Sequence, residues 1–266
     1  MIDVPIAQGF RLRRVDDPTA LPNFDNTFDG IETGKSRSII PWRQYCNPSD
    51  VKIQVVTPDD NENFASLYLL HDDTEVLINT SVDTVIGLQK YTTFTIPLAT
   101  YDGKLCRLKV VQVFNEGNPL FSHLSEPFEV ASQSNYLKLQ WFNIENGFLM
   151  DYSGELVHEL YLDARMDPQP NGGDISVIKN QGKYTKLKEV VNRIFTFSCI
   201  VPAYIAEAIT LASAHDCFYI NEVEFIREKK PSQEPLGNSN LFSYSMELVQ
   251  KNAIGINTHD TGFNVD

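Results

Sequence analysis

A chain of 266 residues, 42% hydrophobic and 21% charged, is long enough for two cores of ordinary composition. Its formal net charge of −13 works against nonspecific nucleic-acid binding, which needs clustered Lys and Arg to displace counterions. It favours a solvated acidic surface or basic partners. The four cysteines, Cys46, Cys106, Cys199 and Cys217, are widely spaced with no CxxC pair. Cys106 and Cys199 sit in apolar runs and read as small core residues, and the spacing suggests no disulfide framework. The N-terminus has no apolar h-region, and no run reaches the ~18 apolar residues of a membrane span. The expectation is a protein made and folded in a reducing cytosol, away from membranes.

Residues 1–48 mix Pro, Asn, Asp and Gly with isolated aromatics. This predicts an extended N-terminal arm. Phe10, Phe24, Phe28 and Trp42 argue against full disorder, which is aromatic-poor. They either pack on the arm's own domain or dock on a neighbour, and they are the candidate assembly contacts. Asp50 to Thr57 is the first clear strand, with Val51, Ile53 and Val55 on one face. A turn at Pro58–Asn61 leads to a strand over Phe64–Leu70. Weaker strands follow at 75–80 and 84–88.

Three further runs lie in 91–131. Thr93 to Leu98 is β-branched and aromatic. Cys106 to Phe114 alternates, with Cys106, Leu108 and Val110 on one face and Arg107 and Lys109 on the other. Ser125 to Ala131 alternates Phe128 and Val130 with Glu129. Short strands separated by turns at this spacing predict an antiparallel sandwich over 49–132. Asp102-Gly103 is a strong hairpin signal. It either joins its flanking strands in one sheet or marks a crossing between two sheets.

The series Cys106-x-Leu108-x-Val110-x-Gln112, then Gly117, then Ser125-Glu126-Pro127-Phe128-Glu129-Val130 resembles the last two strands of a fibronectin type III domain. The resemblance covers about 45–132 and implies an immunoglobulin-like sandwich. The sequence departs from that pattern at Cys106, where the family usually has Tyr, and at Gln112, where it usually has Ala.

The small polar run 131–135 predicts a domain boundary, so 133–250 forms a second β-rich domain and 251–266 a polar C-terminal tail. Leu137, Leu139 and Trp141 share one face of a strand over 136–143. Asn146-Gly147 reads as a turn before another short strand. Leu156, His158, Leu160 and Leu162 alternate, which favours strand over helix for 155–164. Asp167 to Gly173 reads as a surface loop. A mixed segment at 183–192 precedes a strand over 193–200. An apolar stripe through Tyr204, Ile205, Ala208, Ile209, Leu211 and Ala212 predicts the one helix, about 201–215, with Pro202 at its start. Cys217 to Ile226 reads as a hairpin turning at Asn221-Glu222. A polar loop at 229–240 and an alternating strand at 241–250 complete the domain. The fold class is mainly β: two sandwich-like domains, the second carrying one helix.

The familiar catalytic and metal-binding motifs are absent from the sequence. None of His71, His123, His158, His215 and His259 sits in HExxH or beside a cysteine pair. His215 and Cys217 alone do not make a tetrahedral site. Asp59-x-Asn61-x-Asn63 opens like an EF-hand loop but fails at Phe64 and Leu70. Ser153-Gly154 lacks the first glycine of a nucleophile elbow. Gly172-Gly173 precedes no helix, so it makes no phosphate loop and reads as a flexible turn. The basic clusters Arg11-Arg13-Arg14 and Arg227-Lys229-Lys230 read as charged surface. No catalytic residue, cofactor or metal is expected.

A second resemblance spans most of the chain. Arg193-x-Phe195-x-Phe197, Pro202-Ala203-Tyr204-x-Ala206-Glu207, Ser213-x-His215-Asp216 and Ile220-Asn221, with Arg11-Leu12 and Pro48-Ser49-Asp50-Val51-x-Ile53-Gln54, are similar to a pattern in virion proteins of crAss-like tailed phages that infect Bacteroidetes. That resemblance implies a non-enzymatic subunit of a tail, neck or baseplate ring. Its partners are copies of itself and other virion proteins, and its location is the virion, after synthesis in the host cytoplasm. The competing expectation is a glycan- or protein-binding adhesion module, with Trp42 or Trp141 stacking on a sugar.

Overall fold

A computed structural model describes residues 12–15, 44–59, 64–113, 119–132, 135–147, 150–170, 172–180, 183–251 and 255–259. The protein is mainly β and sandwich-like. Its strands begin with β1 (Leu12–Val15), β2 (Gln44–Cys46), β3 (Asp50–Pro58), β4 (Phe64–His71), β5 (Thr74–Ile78), β6 (Ser81–Ile86) and β7 (Gln89–Pro97). A 3-10 turn at Leu98–Tyr101 leads to β8 (Leu105–Val113), β9 (Pro119–Ser125) and β10 (Phe128–Val130).

One layer of the first half is β3-β7-β6, and the other runs β5-β4-β8, with β9 and β10 sharing the far edge of β8. The alternating residues do what period two predicts. Val51, Ile53, Val55, Leu67, Leu69, Phe94, Ile96, Cys106, Leu108, Val110, Phe128 and Val130 pack into one core. Gln112 faces the same way, and its amide donates across the sandwich to the Val56 carbonyl at 3.4 Å. The Asp102-Gly103 ambiguity resolves as a crossing, because β7 and β8 belong to different layers. Gly103 takes φ +75, which suits a residue without Cβ. The strand expected over 125–131 is interrupted at Glu126-Pro127, where the edge of β8 passes from β9 to β10.

The second half contains β11 (Leu137–Phe142), β12 (His158–Leu162), β13 (Ala164–Pro168), β14 (Gly172–Asn180), β15 (Lys183–Asn192), β16 (Ile194–Pro202), α1 (Ala203–Ala212), β17 (Cys217–Ile220), β18 (Val223–Arg227), β19 (Ser232–Pro235), β20 (Leu241–Gln250) and β21 (Gly255–His259). Gly172-Gly173, read as a turn, opens β14 and pairs with β15, and part of the expected polar loop forms β19. β14, β15 and β21 form a separate three-stranded sheet.

The remaining strands follow the order β12-β11-β17-β18-β20-β16-β13. β12 and β13 are successive, separated only by Asp163, so the two layers join at that bend and again at β18. β18 pairs with β17 through Val223-Glu224 and with β20 through Phe225–Arg227. α1 lies inside the expected 201–215 and inserts Ile205, Ala206, Ile209 and Ala212 into the enclosed core. Leu211, expected on that stripe, is exposed. Arg227 donates to the Thr210 carbonyl at 3.2 Å and to Ser213 Oγ at 3.1 Å, tying down the helix C-terminus. The Asn221-Glu222 turn forms as expected, with φ values of 47 and 67.

The halves are joined by β2, which pairs in parallel with β10 and, through Tyr45, with Tyr161 of β12. The segment Met150–Leu156 adds a second tie. Gln54 on β3 accepts from the Asp151 amide at 2.7 Å and donates to the Asp151 carbonyl at 3.0 Å. Met150, Tyr152 and Leu156 pack into the first core.

Candidate functional site

The first feature is an open side of the first sandwich. Only two residues separate β5 from β6, so the outer strands of both layers lie together. Among the described residues β5 pairs only with β4, and β6 only with β7. Every residue of β6 except Thr84 is exposed. Val82 is 68% and Val85 53% exposed, on opposite faces, and Leu88 in the following turn is 87% exposed. The opposite side differs. There β1 pairs with β9, β2 with β10, and β3 is flanked by Met150–Leu156, with Ile53 through Thr57 all buried. Unpaired strand edges carry free amides and carbonyls and are usually blunted by charge, proline or a bulge. β6 carries one acid, Asp83, and no proline.

The second feature is a buried polar junction between the halves. His215 Nδ1 lies 2.8 Å from the Leu211 carbonyl, which only accepts, so Nδ1 carries the proton. His215 Nε2 then accepts from the Tyr152 hydroxyl at 2.9 Å, and the Tyr152 oxygen accepts from His158 Nε2 at 3.2 Å. His158 is 1% exposed. Burial, with the neighbouring His215 adding to it, pushes its pKa down to about 3. Burial also lowers that of His215 and, with Asp216, raises that of Tyr152. Such a chain holds neutral partners in fixed orientation.

The third feature is a cleft of about 780 Å³ at the Asp163 bend. β12 is bordered by β2 at Tyr161, and β13 by β16 from Ala164 onward. Where one strand's edge passes between two neighbours, the neighbours diverge and leave a fork. Tyr45, Tyr136 and Tyr161 line one wall; Arg165, Ser198, Ile200 and Ser243 line the other, with Asp163 between. The Tyr45 and Tyr136 rings stack, their centroids 5.1 Å apart. Leu162 and Val201 also border the cleft, but both are buried in the second core.

The expected assembly contacts Phe10, Phe24, Phe28 and Trp42 lie outside the described residues. Trp141 does not suit sugar stacking: it is 5% exposed and stacks on His158 at 5.4 Å. All four cysteines are free and buried. Burial raises each thiol pKa, to about 12 for Cys106 and Cys199, the opposite of an activated nucleophile. Lys229 pairs with Glu247 at 2.9 Å, so two of the three basic residues at 227–230 have partners within the chain. No group of three or more His, Cys, Asp or Glu able to hold a metal occurs among the described residues. No helix among them is long and apolar enough to cross a membrane. Neither the edge nor the cleft was visible as a motif. The cleft's tyrosines are scattered over more than a hundred positions, and β6 read only as a weak strand.

The fold thus defines a mainly-β, sandwich-like protein. Comparison with family models, with curated proteins and with solved structures finds no match.

Proposed function

We propose that the protein is a non-enzymatic structural subunit that assembles with copies of itself through the open side of its first sandwich. The observation that carries this reading is β6, a strand that pairs with β7 on one edge and with no strand on the other among the described residues, with Val82 and Val85 exposed on its two faces and Leu88 exposed beside it. Strand addition along such an edge gains main-chain hydrogen bonds and buries apolar side chains together. The opposite side is already occupied by the chain itself, by β1 and β2 in one layer and by Met150–Leu156 beside β3 in the other. One-sided openness suits head-to-tail contacts, which close into a ring when the rotation allows. The resemblance to virion proteins of crAss-like phages makes the tail, neck or baseplate the proposed setting, with other virion proteins as further neighbours.

The test is native mass spectrometry of the full chain beside a Val82→Lys/Val85→Lys variant. Discrete oligomers that the variant cannot form support the reading. A monomer at every concentration, or oligomers indifferent to the substitutions, counts against it.

A further inference from the structure

We propose that the fork at Asp163 is a binding site for a neutral oligosaccharide. The inference is independent of assembly, because the fork lies where β2 meets the second half and shares no residue with β6. Its volume, about 780 Å³, falls within the roughly 300–1,000 Å³ typical of small-molecule sites.

The chemistry of the lining selects the ligand class. Tyr45 and Tyr136, half-buried and stacked on each other, supply flat apolar faces with a polar tip on each ring, a combination that meets the C–H faces and hydroxyls of a sugar together, while Tyr161 is buried with its hydroxyl donating to Glu159 at 3.3 Å. Asp163 at the bend and Arg165 two residues on in β13 are both exposed, and Ser198 is the direct cross-strand neighbour of Arg165. A carboxylate accepts from vicinal hydroxyls, and a guanidinium donates to ring and hydroxyl oxygens in a fixed fork. The lining carries one acid and one base, so it has no excess of positive charge for a phosphate or a sulfated glycan. The chain's net charge of −13 further opposes an anionic ligand. A lipid or other apolar ligand needs an apolar lining. Here the strand residues with apolar side chains mostly turn them inward, leaving only Ile200 exposed at the rim.

The stacked pair gives the site its rigidity. Tyr45 belongs to β2, which is pinned by β10 and β12, and Tyr136 immediately precedes β11. Two packed rings lose little freedom when a sugar stacks on them, which lowers the ordering cost of binding.

The experiment screens the full chain against a microarray of neutral gluco-, galacto-, manno- and xylo-oligosaccharides, with sulfated and sialylated glycans alongside, and measures the best hit by titration calorimetry. The expected result is a neutral hit that Tyr136→Ala, Asp163→Ala and Arg165→Ala each weaken roughly tenfold or more. Asp163 and Arg165 are exposed, so their variants fold as the parent does, and circular dichroism confirms it. Val82→Lys/Val85→Lys leaves the affinity unchanged, which keeps this test separate from assembly. Binding of anionic glycans alone, no glycan binding, or a neutral hit indifferent to all three cleft variants overturns the proposal.

Discussion

In the first sandwich β5 and β6 end the two layers on the same side, with no strand beyond them among the described residues. In the second half the layers are joined at β18 and at the Asp163 bend, and α1 fills the space they enclose. Joining the layers concentrates side chains inward, although β13 and β19 still pair on one side only among the described residues, and the bend at Asp163 opens a cleft. Openness leaves backbone and apolar side chains for a neighbour. Under the two proposals one chain separates two tasks physically: an edge for another subunit, and a fork for a small polar ligand.

The largest expected effect breaks the closed half. Phe197 on β16 is fully buried in the second core, its ring edge-on to Tyr244 with centroids 6.4 Å apart. Phe197→Ala is expected to cost about 3–5 kcal/mol by chemical denaturation, through lost transfer energy and a cavity.

The junction gives a pH test. The folded state holds His158 neutral, with its pKa lowered from 6.5 to about 3. Between those values the unfolded chain binds the extra proton, so this stability is complete above about pH 6.5 and declines as pH falls toward 3. From pH 7 to pH 5 the loss is about 2 kcal/mol. His215, also lowered, acts in the same direction. Urea midpoints at the two pH values measure the loss, and His158→Gln is expected to flatten most of it. Tyr152→Phe removes the hydroxyl that both histidines meet and is expected to cost about 1–2 kcal/mol at pH 7 by the same measurement.

The smallest effect on stability belongs to the open edge. Val82→Lys/Val85→Lys changes exposed side chains and is expected to shift monomer stability by no more than about 0.5 kcal/mol per site. A thermal melt of the isolated monomer checks this.

Much of this arrangement was legible where local rules govern. Val51, Ile53 and Val55, and Cys106, Leu108 and Val110, alternate into the core as period two requires. Asn221-Glu222 turns a hairpin, and α1 lies where its apolar spacing placed it. What escaped depends on contacts distant in sequence. Arg107 alternates outward from the first core yet is buried, where the Glu126 charge favours its ionised form against the cost of desolvation. Gln54, on the outer face of β3, is buried because Asp151 comes back to it from 97 positions away. The bend at Asp163 carries no breaker residue; it follows from β12 and β13 having different partners. Tyr45, Tyr136 and Tyr161 meet only after β2 is threaded between the halves. Trp141 suggested a sugar platform, and its alternation with Leu137 and Leu139 pointed inward instead.

The most direct measurement is sedimentation velocity of the wild-type chain and the Val82→Lys/Val85→Lys variant over a range of concentrations. The open edge predicts a wild-type distribution that shifts to larger species with concentration, and a variant that remains monomeric and folded. Identical distributions for the two proteins contradict the claim that this edge is where the subunits meet.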